Sequence, residues 1–273
     1  MIPRIILLSL LFFFFAGSYT TSAQSSPDKL YQQAVTKMQS ENWKAALIDL
    51  NNCIKQNPDF VNAWISKGVV HLQLKEYDSA LDMFGKALTL HAGHPLALYN
   101  RALVKSLQGD YNGSMKDLNM ALDKRPDHAA GYYNRALLHL HFQDTIKALI
   151  EIANCLKYDP DFLQAYLLQA SLHAHRGNTD EAYLAFDRAL TIDSSAIQAR
   201  FNRAHFAYRY GQYQQALTDF QYLHSLFPEH PLIRIHLGGV LCMLNQKQKA
   251  CELWQGSTQD LNAQALFLRY CKP

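Results

Sequence analysis

The sequence predicts an all-α solenoid built from a 34-residue helix–turn–helix unit, and three observations carry that expectation. Breakers are scarce: 273 residues hold Gly 12 and Pro 9, below the roughly 12% that the two supply in average proteins. Small and bulky residues recur in fixed columns when the chain is slid on itself by 34 positions. Seven of the prolines fall at the edges of the resulting windows. With 49% hydrophobic and 18% charged residues, disordered, collagen-like and disulfide-dense miniprotein classes are excluded. A turn-rich β-sandwich needs more frequent turn signals than these.

In chain order, residues 1–23 come first. Arg4 is their only charge, Ile5 to Phe15 is apolar apart from Ser9, and a polar stretch ends in Thr21-Ser22-Ala23. This is the charged, apolar and small-residue order of a secretory signal peptide, with cleavage expected after Ala23 and a linker at 24–26. The apolar run is shorter than the ~18–20 residues of a spanning helix; an uncleaved anchor is the competing expectation. The first cysteine is Cys53, which gives no support to a lipoprotein signal. No later segment is apolar enough to span a membrane, so the product is expected to be exported, periplasmic or extracellular.

Seven windows follow without insertion: 27–60, 61–94, 95–128, 129–162, 163–196, 197–230 and 231–264. Position 8 is Ala34, Gly68, Ala102, Ala136, Ala170, Ala204 and Gly238. Position 20 is equally small, from Ala46 through Ser114 to Ala250, as two closely crossing helices require. Position 24 is bulky throughout: Leu50, Phe84, Leu118, Ile152, Phe186, Phe220 and Trp254. Pro27, Pro95 and Pro231 open windows, where proline is tolerated in the first helical turn, and Pro58, Pro126, Pro160 and Pro228 close them. Gly109, Gly177 and Gly211 share position 15, where a left-handed residue ends a helix. Residues 265–273 are apolar and predict a short capping helix, because an array cannot leave its last apolar face open.

These columns resemble the tetratricopeptide repeat, most clearly at LYNRALVKSLQGDYNGSMKDLNMALDKRPD (98–127) and ARFNRAHFAYRYGQYQQALTDFQYLHSLFPE (199–229). The resemblance implies a right-handed superhelix whose first helices line a concave face with positions 2, 5, 6, 9, 12 and 13. A weaker likeness, ACELW (250–254) with a terminal YCK (270–272), is to exported repeat proteins of the Bacteroidetes group.

No phosphate loop, nucleophile elbow or zincin helix is present, so an enzyme is only a remote alternative and no cofactor is expected. A formal charge of +3 with dispersed Lys and Arg does not suit a nucleic-acid binder. His139 and His141 recur 34 residues on as His173 and His175. Stacked repeats would bring His141 near His175, but an i, i+2 pair diverges on a helix; packing or surface roles are expected, with no metal. Arg101, Arg135 and Arg203 at position 7 go with Asp117, Glu151 and Asp219 at position 23. These predict half-buried, bidentate ion pairs within each repeat.

The resemblance places Asn100, Asn134 and Asn202 (position 6) on the concave face, beside Tyr99, Tyr133 and Phe201 (position 5) and Tyr208 and Arg209. Amides that both donate and accept suit a peptide backbone; the expected partner is therefore a protein or peptide. Asparagine is also the family's commonest residue at position 6, so the ladder has a structural explanation as well. Cys251 and Cys271 are a possible disulfide pinning the cap, with Cys242 a rival partner, while Cys53 and Cys155 occupy a small core column. The competing function is a fixed component of a cell-envelope assembly that uses convex or cap surfaces.

Overall fold

The computed structural model describes residues 25–255 and 261–271. The signal-peptide expectation for 1–23 lies outside the described residues. Every regular element among the described residues is an α-helix. Two compact units divide the chain at Leu90/His91. The first holds α1 (Pro27–Gln39), α2 (Trp43–Gln56), α3 (Val61–Gln73) and α4 (Tyr77–Leu90). The second begins with α5 (Pro95–Leu107), α6 (Tyr111–Lys124), α7 (Ala129–His141), α8 (Thr145–Tyr158), α9 (Leu163–His175) and α10 (Thr179–Ile192). It continues with α11 (Ile197–Arg209), α12 (Tyr213–Leu226), α13 (Pro231–Met243), α14 (Lys247–Gln255) and α15 (Leu261–Tyr270).

Local chemistry sets these boundaries. Pro27, Pro95 and Pro231 occupy the first turns of α1, α5 and α13, where a missing N–H costs nothing. Side-chain oxygens of Ser26, Asn42, Asp110 and Asp144 accept from free N–H groups at the starts of α1, α2, α6 and α8. Position 15 shows a regularity that glycine alone did not reveal. Gly109, Gly177 and Gly211 have φ of 85°, 77° and 78°, and Glu41, Lys75, Gln143 and Asn245 at the same position have φ of 56°, 61°, 60° and 60°. Every described repeat thus turns through a left-handed residue, whichever side chain it carries.

Within each repeat the two helices pack along their small columns. Ala34, Ala102, Ala136, Ala170 and Ala204 are fully buried, as are Ala46, Ala80, Ala148, Ala182, Ala216 and Ala250. Each faces a bulky residue of position 24, of which none is more than 2% exposed. Where the bulky partner is Trp254, position 8 is Gly238; a Cβ there would lie 2.4 Å from the indole Nε1. Gly68 makes the same accommodation for Phe84, at 2.5 Å. Leu223, large for its column, is also fully buried.

At the C-terminal end, α14 is described over Lys247–Gln255 and α15 over Leu261–Tyr270, so helix is already present four residues before 265. Phe267 and Leu266 of α15 pack on the cluster around Trp254, and Cys251 is bonded to Cys271. Cys242 is not in that bond. Cys53 and Cys155 are buried thiols; burial, helped by the Asp159 charge, pushes the Cys155 thiol up to about 11, so both behave as small apolar residues.

Candidate functional site

The position 7 arginines are internal fasteners. Arg101 Nε and Nη2 donate to the two carboxylate oxygens of Asp117, each at 2.7 Å, and Lys105 Nζ lies 2.8 Å from Oδ2. Burial disfavours the Asp117 charge, but these two cations outweigh it and hold the carboxyl below its ordinary range. Arg203 clasps the fully buried Asp219 the same way, at 2.8 and 2.7 Å, and reaches Asp187 of the preceding repeat at 2.5 Å. Arg135 differs from the bidentate expectation. It makes one bond to Glu151, at 2.9 Å, because its Nη1 donates to Asn119 of the preceding repeat. Arg135 and Arg203 therefore tie adjacent repeats as well as their own two helices. In the first unit Gln33 leaves Asp49 without an arginine, and Lys37 supplies the cation from one turn on, at 2.5 Å.

The position 5 aromatics face neighbouring repeats more than solvent. Tyr99 packs edge-on to His128, with centroids 4.4 Å apart, and Tyr133 packs on Phe162 at 5.2 Å. Both partners stand just before the next repeat's first helix; Tyr31 and Phe60 repeat the contact in the first unit at 5.1 Å. Phe201 meets His236 and Phe220. Tyr99, Tyr133 and Phe201 thus seal seams between repeats, a role the sequence did not distinguish from peptide contact.

The asparagines are engaged at one end each. Asn100 Nδ2 donates to the Leu96 carbonyl of its own helix at 2.8 Å, and Asn134 Nδ2 donates to the Tyr99 hydroxyl at 2.9 Å. Asn202 Oδ1 accepts from Gln198 at 2.7 Å, which leaves its N–H donors without a partner among the described residues.

Two cavities adjoin on the first-helix face of the second unit. The smaller, about 170 Å³, is lined by Ser171 and His175 of α9 and by Asn202, His205 and Arg209 of α11. The larger, about 460 Å³, lies between α11, α13 and α15, with Tyr208, His236, Met243, Trp254, Leu266 and Tyr270 in its wall. His205 of one and His236 of the other are edge to face with centroids 5.3 Å apart. His236 also stacks on Phe220, 5.5 Å away. Burial pulls both imidazoles below their ordinary range, aided at His205 by the Arg209 charge and at His236 by His205. Tyr208 and Arg209 thus line adjoining cavities. His205, His236 and Met243 were missed because a lone histidine or methionine on a helix carries no periodic signal.

The recurring histidines divide between packing and surface. His141 packs against Tyr111 with centroids 3.7 Å apart, and His71 Nδ1 lies 2.6 Å from Glu76. Among the described residues no three His, Cys, Asp or Glu side chains converge as metal ligands. No described helix is long and apolar enough to cross a membrane.

A family model of the tetratricopeptide repeat matches residues 31–95 and 147–197. No curated protein matches the chain. Among solved structures, a tetratricopeptide repeat protein from Parabacteroides merdae is 19% identical, with TM-score 0.59, covering 90% of this chain and 99% of its own. PilW, a widely conserved type IV pilus biogenesis factor, is 19% identical with TM-score 0.69 over 79% of this chain and 98% of its own. YrrB, a tetratricopeptide repeat protein with an unusual peptide-binding site, is 17% identical with TM-score 0.51 over 65% of this chain and 92% of its own. At these identities the structures speak for the fold alone. Residues 31–95 and 147–197 thus carry tetratricopeptide repeats, and the chain has the fold of tetratricopeptide repeat proteins.

Proposed function

We propose that this chain is a non-enzymatic scaffold that binds a peptide or protein segment along the first-helix face of its second unit. Proteins of this repeat family generally mediate protein–protein interactions. The observation that carries the specific reading is the pair of adjoining cavities beside α11, with Asn202 donors and the Arg209 guanidinium at their edge. Its test is retention of a proteolytic peptide pool on the immobilised protein. Asn202→Ala, at a cavity edge with its amide N–H groups unused, is expected to cut retention several-fold with an unchanged melting temperature. Undiminished retention would contradict the reading. Tyr133 is a poor choice for this test because it packs on Phe162.

Export from a bacterial cytoplasm belongs to the same proposal. The residue order of 1–23 supports it, and so does the Cys251–Cys271 disulfide, a bond kept in oxidising compartments. N-terminal sequencing should find Gln24 first; retention of Met1 would overturn it.

A second reading, a fixed place in an envelope assembly, has one observation in its favour. Ile146 and Ile150 of α8 and Leu184 of α10 are 64%, 54% and 65% exposed on the second-helix face. That reading predicts a stoichiometric complex surviving purification, lost on Ile150→Glu.

A further inference from the structure

The two cavities differ in chemistry, and the difference specifies a partner. Positions 2, 5, 6, 9, 12 and 13 of α5, α7, α9, α11 and α13 carry no Asp or Glu. Neither cavity has a carboxylate in its wall. The smaller one gathers donors instead: the Arg209 guanidinium, the two imidazoles of His175 and His205 and the free Asn202 amide N–H groups, while the Ser171 hydroxyl is spent on the Leu167 carbonyl. Arg209 and His205 stand four residues apart on α11 and so share a face. Arg209 has no carboxylate partner among the described residues, unlike Arg101, Arg135 and Arg203. Its place at the end of α11 suits the helix dipole, but a dipole does not account for donors from two helices around one cavity. The larger cavity is mainly aromatic and aliphatic, with Asn245 and Lys247 also in its wall, and about 460 Å³ is ample for one bulky side chain.

We propose that repeats five to seven select an extended partner segment carrying a side-chain carboxylate close to a bulky apolar residue, the carboxylate on Arg209 and His205 and the apolar side chain in the cavity beside Tyr208 and Trp254. This inference rests on the groove reading above and names the chemistry of its partner. The occupant is read as a side chain rather than a chain terminus because first helices of further repeats, α7 and α13, come before and after the α9 and α11 that line the smaller cavity. The His205–His236 separation of 5.3 Å makes the two subsites neighbours, within about three residues of extended peptide.

Selection of phage-displayed random dodecapeptides tests this, because the displayed segment is fused at its C-terminus and offers only side-chain carboxylates. The purified protein is expected to enrich Asp or Glu within about three residues of Phe, Tyr, Trp or Leu. Arg209→Glu should lose that enrichment and gain Lys or Arg. Arg209→Gln, a neutral change at an exposed site, should weaken a selected synthetic peptide about tenfold, as expected for loss of a charge-assisted hydrogen bond. Enrichment indifferent to charge, or acidic enrichment that survives both substitutions, overturns the carboxylate subsite and leaves the groove reading standing. Absence of any enriched sequence on the unaltered protein overturns both.

Discussion

At the scale of single residues, position 15 separates what a turn requires from what its sequence advertises. Three repeats place glycine there and four place Glu41, Lys75, Gln143 or Asn245, yet all seven backbones are left-handed. The glycines were legible because only glycine takes this conformation freely. The other four were not, because tertiary packing of the two helices imposes the turn on side chains that resist it. Gln143 has φ of 60°, so Gln143→Gly should relieve about 1 kcal/mol of left-handed strain, offset in part by glycine's larger unfolded entropy. Urea denaturation should show a higher midpoint with an unchanged slope; a lower midpoint would mean the glutamine is unstrained. The ion pairs show a similar division. Charges at positions 7 and 23 vary together in five of the seven repeats, so Arg101 with Asp117 was visible in the chain, whereas Lys105 on the same carboxylate and Asn119 on Arg135 depend on contacts that no column records.

At the scale of elements, the helix pairs were legible because their small and bulky columns stay in phase. Trp254 with Gly238 illustrates the physics: the indole occupies the space that a Cβ at position 8 would need. Helix α15 was legible in kind, but its helical residues Leu261 to Gln264 were not, since the 34-residue columns run on through them. It buries little, with Ala263 its one fully buried residue, so its docking leans on the Cys251–Cys271 bond. A disulfide closing a loop of about 20 residues contributes up to ~3 kcal/mol. Reduction should therefore raise amide exchange in α15 (Leu261–Tyr270) while α11 and α12 keep their protection. Equal exchange with and without reductant would show that packing of Leu266 and Phe267 suffices.

For the whole molecule, charge and burial set a response to acid. His94, His128, His205 and His236, all in the second unit, are pulled below their ordinary range first of all by burial, so folding favours their neutral forms. The unfolded chain then binds more protons than the folded one just below pH ~6.5, and stability must fall as pH falls through that window. Depressed carboxylates such as Asp117 act at lower pH and do not mimic the effect. Melting temperatures should be level from pH 8 to 7 and decline from about pH 6.5 toward 5. The decline should shrink in the His205→Gln, His236→Gln double variant; a flat profile would mean that these imidazoles are solvated.

The repeat was plain from sequence, while the working surface was not. Asparagine and tyrosine at positions 5 and 6 mark a family pattern, and only contacts show that Tyr99 and Tyr133 seal seams while Asn202 and Arg209 keep donors free. Backbone amide shifts recorded while a binding peptide from the pool is titrated in locate the working surface residue by residue. Perturbations are expected to concentrate on α9, α11 and α13, around His175, Asn202, His205 and His236. Perturbations confined to α8 and α10, around Ile150 and Leu184, would contradict it and place the working surface on the second helices.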